Sequence, residues 1–366
     1  MTPPLASGEY IRGLFAHGQH IIVATEKKLW HSHDDGQTWG FHSTPWPYFY
    51  VEFTLVGNDV FGAGGTTGIA KSTDFGTTWN ELPVPPYNLS IYDLATAGGK
   101  ALAITYSKGV FRWEESEQAL IESNNGLGSA VVAALADGGN KIWAGTGNGV
   151  FAYDKQQQTW TTNSPLPLPS YYYEIISAND NGVVCAGQNS RDYFYLSKDG
   201  GLSWDTIYPD QDPWSFGYIK GIKVLGDVIF VDVEFGKTYR SGDLGQTWQL
   251  VADNVLNIVK FNDLFIGLNW QNQILASSDK GVTWNVLSDF TIGDIAQLFV
   301  ADGRLFLSAY VQSSGFWRNL IYTSQQGRRH VCGLRSARNA RRARSRFTRR
   351  CVDGTRPARL GKHLER

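Results

Sequence analysis

The octet Ser241-Gly242-Asp243-Leu244-Gly245-Gln246-Thr247-Trp248 decides the fold of this chain. An Asp in the third position can accept hydrogen bonds from the backbone N–H groups that follow it, and a Gly two residues later supplies a positive φ. The closing Thr and Trp suit the start of a half-buried strand. The octet therefore predicts a tight turn between two strands, anchored by its own Asp, and not a catalytic device.

The octet recurs along the chain at nearly regular intervals. Two weaker versions, at 109–113 and 149–160, occupy the gap in the middle, and an eighth begins at Tyr322 and stops after Gly327. The step between successive octet tryptophans is 40 residues from Trp39 to Trp79 and 44 residues from Trp204 to Trp248. The other clean copies are Ser32–Trp39, Ser72–Trp79, Ser197–Trp204 and Ser277–Trp284.

A period of about 40 residues that carries four short strands is typical of a β-propeller blade. We therefore predict an all-β chain with a single propeller, spanning residues 1–327 with its strands starting near residue 9. Eight repeats predict eight four-stranded blades. Seven blades are the alternative if the degenerate third repeat or the interrupted eighth does not form a complete blade.

The octet resembles the Asp-box, or bacterial neuraminidase repeat (BNR), of sialidases, sortilin-type receptors, xyloglucan-active hydrolases and photosystem assembly factors. The resemblance covers roughly residues 9–327 and implies the propeller fold. It implies no particular activity, because in that family the box lies at the blade periphery, away from the binding face. The sialidase Arg-Ile-Pro sequence is missing: Tyr10-Ile11-Arg12-Gly13 stands in its place. Only six Arg precede residue 328, so no sialidase residue is carried over.

Composition agrees with many short strands joined by turns, since the chain has 13 Trp, 40 Gly and one Met. No run approaches the roughly 18 apolar residues of a membrane span. The first residues show no basic segment followed by an apolar stretch, so no signal peptide is visible, although Asp-box proteins are often exported. The compartment stays open. Three cysteines, Cys185, Cys332 and Cys351, imply neither a disulfide framework nor a metal quartet.

The overall charge of −1 hides two oppositely charged parts. From Arg328 onward the chain has 13 Arg and one Lys against Asp353 and Glu365, which gives +12, whereas residues 1–327 have 19 basic and 32 acidic residues, which gives −13. The segment 328–366 could bind nucleic acid non-specifically. It begins inside the eighth octet, however, which favours an out-of-frame or otherwise non-native sequence that stays disordered.

The segments that lead into the innermost strands are rich in Pro and aromatic residues. In a propeller they emerge around one end of the central channel, the usual place for a ligand. The alternative is that these aromatics cap the ends of blades and pack on their neighbours. The predicted ligand-binding residues on this face are Arg12, Trp46, Tyr50, Tyr92, Tyr173 and Trp214.

Charged residues recur near the start of the innermost strands and predict a polar ring around the channel, which any solvated channel would need. They are Arg12, Glu52, Asp93, Glu174, Lys220 and Asp294. Two carboxylates about 5 to 9 Å apart could hydrolyse a glycosidic bond, and Glu52 with Asp93 is the best such pair. Glu52, Asp93 and Glu174 are thus weak catalytic candidates.

His31 and His33 share one face of a strand but lack a placed third ligand, so we predict surface histidines and no metal site. No cofactor motif is present either, because Gly145-Thr146-Gly147 joins two strands and opens no helix. The sequence therefore favours a non-catalytic binding or assembly protein whose partner is a peptide, a protein or a glycan. A sialidase-like or glucan-active glycoside hydrolase is the alternative.

Overall fold

The chain forms eight antiparallel sheets that follow one another along the sequence, and in each sheet consecutive strands pair as a meander. The computed structural model describes residues 9–46, 50–65, 68–85, 89–162, 173–209, 217–251, 255–269, 271, 273–288, 295–301, 303–313 and 316–323. Seven sheets have four strands, and the eighth has three strands among these residues. The predicted all-β propeller of four-stranded blades is confirmed. The degenerate third repeat forms a complete sheet.

The first four blades contain sixteen strands. Blade one contains β1 (Ile11–His17), β2 (His20–Thr25), β3 (Lys28–Ser32) and β4 (Gly40–Ser43); blade two contains β5 (Glu52–Val56), β6 (Asp59–Ala63), β7 (Ile69–Ser72) and β8 (Asn80–Glu81). Blade three contains β9 (Ile91–Ala97), β10 (Lys100–Thr105), β11 (Gly109–Glu114) and β12 (Ala119–Glu122); blade four contains β13 (Val132–Gly138), β14 (Lys141–Thr146), β15 (Gly149–Asp154) and β16 (Thr159–Thr162).

Among the described residues, the remaining blades contain fifteen strands and one short 3₁₀ turn, Glu234–Gly236. Blade five contains β17 (Ile175–Ala178), β18 (Val184–Gly187), β19 (Phe194–Ser197) and β20 (Asp205–Ile207); blade six contains β21 (Ile219–Leu225), β22 (Val228–Val233), β23 (Thr238–Ser241) and β24 (Gln249–Leu250). Blade seven contains β25 (Leu256–Phe261), β26 (Leu264–Leu268), β27 (Ile274–Ser277) and β28 (Asn285–Ser288); blade eight contains β29 (Ile295–Ala301), β30 (Arg304–Ser313) and β31 (Phe316–Thr323).

Burial changes from strand to strand within a blade. The second and third strands are the most deeply buried, as in β2 and β15, where five of six residues are buried, because both faces of the sheet pack on neighbouring blades. Both residues of the outer strands β8 and β24 are exposed. Second strands therefore read as continuous apolar runs, whereas outer strands are short and polar.

Each octet forms the turn between the third and fourth strands, as predicted, and its side chains make one repeated hydrogen-bond network. In the first octet, Ser32 Oγ donates to Asp34 Oδ1 at 2.8 Å and accepts from the Gly36 N–H at 2.8 Å. The Thr38 N–H donates to Asp34 Oδ1 at 2.9 Å and Thr38 Oγ1 donates to Asp34 Oδ2 at 2.7 Å. These bonds favour the ionised carboxylate and lower the pKa of Asp34 to about 2.

The octet turn also packs against the preceding blade. Its fourth and fifth residues both have positive φ, as in Leu244 (55°) followed by Gly245 (83°). A Cβ on Gly245 would lie 2.8 Å from Cδ2 of Leu196, which belongs to blade five. The fifth position therefore requires glycine for two reasons, its left-handed backbone and its close approach to a neighbouring core.

Blade eight packs on blade one, so the ring closes. The fully buried ring of Phe306 on β30 shares a hydrophobic cluster with Ile21, Val23 and Trp30 of blade one. The buried Arg304 guanidinium reaches across the same boundary and donates to the Asp35 carboxylate and to the Gly18 carbonyl. An apolar cluster and a charged clamp together join the two ends of the ring.

Five histidines lie along the boundary between blades one and two. His20 Nδ1 is 2.7 Å from His33 Nδ1, so one nitrogen donates and the other accepts. His33 Nε2 is 2.7 Å from Thr77 Oγ1, and His42 Nε2 is 2.9 Å from the carbonyl oxygen of Gly76, both in the second octet. The hydrogen bonds of His33 and His42 thus tie the two blades together. The five are His17, His20, His31, His33 and His42.

This histidine boundary predicts a loss of stability in mild acid. Burial, reinforced by neighbouring histidines, lowers the pKa of His20 and His31, although Asp35 and Asp74 oppose the shift. Below about pH 6.5 the unfolded chain then binds more protons than the folded chain, so stability falls as the pH falls. We expect the melting temperature to drop by a few degrees between pH 7.5 and pH 5.5.

The matched variant is His33→Gln, which keeps hydrogen-bonding groups but cannot take up a proton. Its melting temperature should fall less than that of the unmodified chain over the same pH range. Both proteins share every other titratable group, including carboxyls whose protonation stabilises the fold as the pH falls. Comparing the two pH dependences of the melting temperature therefore removes the contributions of these other groups. Parallel slopes would show that the pair formed by His20 and His33 does not couple protonation to stability.

Within the part of the chain that the structure describes, no helix has both the length and the apolar character needed to cross a membrane. The basic segment 328–366 lies outside the described residues, and its predicted disorder stays a prediction.

Candidate functional site

The meander of each blade defines two ends of the propeller. The segment that leads into the first strand and the loop between the second and third strands lie at one end, whereas the octet turns lie at the other. First strands of neighbouring blades lie side by side, as β5 does with β9 and β13 with β17, and line the channel. We call the end that lacks the octets the mouth.

A short sequence pattern marks the mouth in three described blades. Tyrosine, an apolar residue and a charged residue follow one another, and the tyrosine is exposed while the apolar residue is partly or fully buried. The apolar residue can donate its N–H to the preceding blade: Val51 donates to the carbonyl of Arg12 at 3.0 Å, and Ile219 donates to that of Arg191 at 2.8 Å. The three triplets are Tyr10-Ile11-Arg12, Tyr50-Val51-Glu52 and Tyr218-Ile219-Lys220.

Several first strands carry a β-bulge at this position. The pairing skips one residue between Ile11 and Gly13, and again between Ile219 and Gly221, so Arg12 and Lys220 have no partner on the second strand. In blade three the skipped residue is Tyr92. A bulge re-aims the side chain that it carries. Tyr92 therefore occupies the mouth position in blade three, and Asp93, which we predicted there, lies one residue further into the strand.

All exposed tyrosines among the described residues lie at the mouth. Tyr50 and Tyr106 are the most exposed, at 74% and 72%. The large apolar residues that are exposed elsewhere, such as Leu202 and Leu250, lie singly on octets or outer strands. Tyrosine is enriched where proteins bind other proteins because it offers a large, rigid contact area with a polar tip. The six exposed tyrosines are Tyr10, Tyr50, Tyr92, Tyr106, Tyr208 and Tyr218.

Two cations at the mouth are each flanked by tyrosine and neutralised by glutamate. The Arg12 guanidinium lies 5.8 Å from the ring centre of Tyr10 and 5.5 Å from that of Tyr50, and its Nη2 is 2.6 Å from Glu26 Oε1. Lys220 Nζ lies 6.0 Å from the ring centre of Tyr218 and 2.7 Å from Glu234 Oε1. Cation–π attraction and an ion pair act together at both places.

Glu52 and Asp93 form a second kind of site, on the neighbouring strands β5 and β9. Loss of hydration, reinforced by the Asp93 charge, raises the pKa of Glu52 to about 7, although Glu52 still contacts solvent in the channel. Loss of hydration raises the pKa of Asp93 to about 6, against a hydrogen bond of 2.8 Å from the Leu94 N–H. The pair therefore changes charge near neutral pH.

Two tyrosines, Tyr92 and Tyr106, meet on blade three, which also carries Asp93. The Tyr92 hydroxyl donates to the carbonyl of Val132 in blade four, which fixes its ring across the boundary between two blades. The rings of Tyr92 and Tyr106 meet edge to face at 6.5 Å between centres. Burial raises the pKa of Tyr92, and the charges of Asp93 and Tyr106 add to the shift.

Two of the predicted ligand-binding aromatics are core residues, and the prediction needs correction for them. Trp46 is 1% exposed, its Nε1 donates to the carbonyl of Gly68 at 3.1 Å, and its ring packs edge to face on Trp79. Tyr173 is fully buried. Both can cap a blade, but neither offers a free face to a ligand. Trp214 and Asp294 lie outside the described residues.

The remaining predicted residues lie at the mouth. Arg12, Tyr50, Tyr92 and Glu174 are at least partly accessible there, and the Glu174 carboxylate accepts from the Asn189 N–H at 3.4 Å. The sequence analysis did not predict four of the exposed tyrosines at the mouth: Tyr10, Tyr106, Tyr208 and Tyr218. The recurring triplet of tyrosine, apolar and charged residues was the signal that could have found two of them, whereas Tyr106 and Tyr208 carry no such signal.

Among the residues that the structure describes, no group of three or more His, Cys, Asp or Glu side chains is arranged to hold a metal ion. His20 and His33 instead bond to each other, and His33 and His42 bond to the second octet.

Comparison with known proteins supports the fold. The sequence matches no known protein-family profile, and it matches no curated protein. Solved β-propeller structures do resemble it. YCF48 bound to D1 peptide has 15% sequence identity and a TM-score of 0.54, with 87% of this chain and 93% of that chain covered.

Two further solved structures show the same degree of likeness. YCF48 from Cyanidioschyzon merolae has 14% identity and a TM-score of 0.54, and the match covers 88% of this chain and 97% of that chain. BamB from Moraxella catarrhalis has 12% identity and a TM-score of 0.56, and the match covers 84% of this chain and 97% of that chain. At these identities the likeness establishes the propeller fold alone.

Proposed function

We propose that this propeller is a non-catalytic binding or assembly protein that holds a peptide or an extended segment of another protein across its mouth. The concentration of all six described exposed tyrosines on that one end carries the proposal. Single apolar residues scattered over a surface are ordinary. Several exposed aromatic residues grouped at one end of the molecule, as at the mouth, are instead typical of the centre of a protein interface.

The rigidity of the rim supports this function. Tyr92 is held by its hydrogen bond to blade four, and Tyr10 and Tyr50 are held by the Arg12 guanidinium between them. Side chains that are already ordered lose little conformational entropy when a partner binds. These contacts favour a preformed platform at the mouth.

The likeness to YCF48 bound to D1 peptide supports the same class of function, since that propeller takes a peptide ligand. No residue is transferred from it, because the identity is 15%. The likeness supports the proposal only in showing that a propeller of this fold can bind a peptide.

The first test selects ligands with the full chain. A library of random displayed 12-residue peptides is selected on the immobilised protein, and the enriched peptides are synthesised and their affinity is measured by calorimetry. We expect Tyr50→Ala and Tyr106→Ala each to weaken binding at least about tenfold, the size expected for an interface hot spot.

Leu202→Ala is the matched control, since Leu202 is 77% exposed but lies in an octet at the opposite end. It should leave the affinity unchanged. Equal losses in all three variants, or enriched peptides that bind equally well without the two tyrosines, would contradict a binding face at the mouth. Enrichment on a glycan array with the same tyrosine dependence would replace the peptide by a glycan.

A glycoside hydrolase is the second candidate, and the pair formed by Glu52 and Asp93 favours it. Their pKa values of about 7 and about 6 would leave one carboxyl protonated and the other ionised near neutral pH, the states that an acid and a base require. Incubation of the full chain with sialoside and β-glucan oligosaccharides tests this function. Product formation that Glu52→Gln abolishes would establish the enzyme in place of the binding protein.

A further inference from the structure

We propose that the boundary between blades one and two makes binding at the mouth depend on pH: protonation of its histidines opens the boundary, and the mouth then releases its partner. The inference rests on the proposed function, because it assigns a means of regulation to the binding face. One boundary carries the histidines near the octets and two tyrosines of the mouth at its other end.

At the octet end, the boundary holds half-buried histidine rings in contact with blade two. His20 is stacked on Phe75 of the second octet at 4.0 Å between ring centres, and its Nδ1 is 2.7 Å from Nδ1 of His33. A hydrogen bond between two ring nitrogens needs one donor and one acceptor, so it cannot persist when both rings are protonated. His33 Nε2 lies 2.7 Å from Thr77 Oγ1. His33 therefore cannot turn away from His20 without losing its contact with blade two.

The charged groups around this pair cannot offset several added protons. Asp35 is already paired with Arg304, and Asp74 already accepts two hydrogen bonds from its own octet. The nearest other rings are histidines, so acid adds like charges at 5.0–5.4 Å between ring centres. The titratable and charged groups on the elements that meet here are His17, His20, His31, His33, His42, Asp34, Asp35, Asp74 and Arg304.

Protonation favours the open boundary because the rings become hydrated when the blades separate. Burial, more than any charge, lowers the pKa of His20 and of His31 in the closed arrangement. Opening restores an ordinary histidine pKa, so the closed boundary is favoured above about pH 6.5 and is progressively lost below it.

A continuous buried cluster connects this end of the boundary with the mouth. Trp79 closes the second octet, and its ring centre is 5.7 Å from that of Trp46 and 6.0 Å from that of Phe53. These rings share a hydrophobic cluster with Val51 at the mouth, and the blade-one members of the cluster are Ala24 and Leu29. Movement of the second octet away from blade one therefore disturbs the packing of Val51.

At the mouth, two of the binding tyrosines lie on either side of the same boundary. The Val51 N–H donates to the carbonyl of Arg12 at 3.0 Å, and separation of the blades breaks this bond. The Arg12 guanidinium lies 5.8 Å from the ring centre of Tyr10 and 5.5 Å from that of Tyr50, which leads into blade two. An open boundary changes the spacing of the two tyrosines, so the mouth loses the preformed arrangement that a partner binds.

Peptide affinity at two pH values tests this coupling. The probe is the tightest peptide from the library selection that lacks His, Asp and Glu, synthesised with blocked termini so that it does not titrate between pH 7.5 and pH 5.5. One linked proton changes an equilibrium constant by up to about tenfold per pH unit, so we expect the full chain to bind about three- to tenfold more weakly at pH 5.5. His33→Gln should bind equally well at pH 7.5 and lose clearly less affinity at pH 5.5.

The comparison with His33→Gln isolates the histidines from other titrating groups at the mouth. The pKa values of Glu52 and Asp93, about 7 and about 6, lie in the same range, but both carboxyls remain in the variant. His20→Gln removes the same pair from its other side and serves as the second variant. Thermal melts at pH 7.5 check that both variants are folded.

Amide hydrogen exchange detects the opening without a ligand. The protection factor of the Val51 N–H, which corrects for the intrinsic pH dependence of exchange, should fall between pH 7.5 and pH 5.5, and it should fall less in His33→Gln. The Ile219 N–H is the matched control, because it makes the equivalent bond to the carbonyl of Arg191 at 2.8 Å between blades five and six. Residues 175–250, which form those two blades, contain no histidine. Protection of Ile219 should not depend on the variant.

The outcomes separate the two proposals. Equal losses of affinity in the unmodified chain and both variants, or Val51 protection that follows that of Ile219, would overturn the coupling and leave the binding function standing. Absence of any tyrosine-dependent peptide at either pH would overturn the binding function, and release of a partner would fail with it.

Discussion

Phe306→Ala should destabilise the protein by about 3–5 kcal/mol, the usual cost of truncating a fully buried aromatic residue. The effect should be large in relative terms, because folded domains are stable by only about 5–15 kcal/mol. Phe306 belongs to blade eight and is fully buried in a cluster with Ile21, Val23 and Trp30 of blade one. It also stacks on Phe299 at 5.2 Å between ring centres.

The loss of stability in Phe306→Ala should come from more than the cavity that the missing ring leaves. The Arg304 guanidinium lies 5.0 Å from the Phe306 ring centre and spans the same boundary to reach Asp35. Removal of the ring exposes this clamp to water, which weakens its ion pair. The boundary between blades eight and one should therefore open before the other blade boundaries do.

Urea unfolding followed by two probes measures this. Far-UV circular dichroism reports all eight sheets, and tryptophan fluorescence includes Trp30, which lies at the boundary. For Phe306→Ala we expect a lower midpoint and a fluorescence change that precedes the loss of sheet. Phe41→Ala is the control, because Phe41 is 54% exposed on β4 and should cost less than about 1 kcal/mol. A comparable loss for both variants would show that closure does not depend on Phe306.

The repeat architecture could be predicted from sequence because one local motif encodes both a turn and its anchor. Asp243, for example, accepts from the Thr247 N–H at 2.9 Å, as the octet pattern requires. The decayed repeats also form complete blades, since their strands retain apolar alternation and Asp154 still accepts from the N–H groups of Gln156 and Gln157. Strand pairing therefore does not depend on an intact octet.

The side-chain environment at the mouth was harder to predict. Trp46 follows a proline in a linker, a context typical of exposed rim residues, yet it is buried. The reason lies in another part of the sequence: a Cβ on Gly62 would come within 2.7 Å of the Trp46 ring, so this glycine makes room for the indole. Linker composition alone cannot reveal a space that a different strand provides.

The packing role of the octets was also not apparent from sequence, and it leads to the second large effect. Gly281, the fifth residue of the last clean octet, has a φ of 83°, and a Cβ there would lie 2.5 Å from Cζ of Phe230 in blade six. Phe230 cannot retreat easily, because it is 2% exposed and packs edge to face on Phe265 and Trp284. Strain and overpacking therefore act on the same atom.

Gly281→Ala should destabilise the protein by about 2–5 kcal/mol, which combines roughly 1–2 kcal/mol for a left-handed alanine with 1–3 kcal/mol for overpacking. Gly200→Ala is a close control, because Gly200 also has positive φ (70°) but nothing lies within 4 Å of its Cβ position. Gly200 is the fourth residue of its octet, and the corresponding residue is Lys280 in the last octet, with a φ of 60°. A side chain is therefore already accepted there.

Thermal and urea unfolding of the two variants, side by side, separate backbone strain from blade packing. Gly200→Ala should cost no more than the strain alone, and Gly281→Ala should cost clearly more. The double variant Gly281→Ala/Phe230→Leu should recover part of the difference, since a smaller side chain removes the clash but not the strain. If Gly200→Ala and Gly281→Ala lower the free energy of unfolding equally, and the double variant recovers nothing, then glycine at position 281 is needed only for the backbone conformation of the turn. Recovery would show that this octet joins blade seven to blade six, so a motif that sets the repeat also packs one blade on the preceding one.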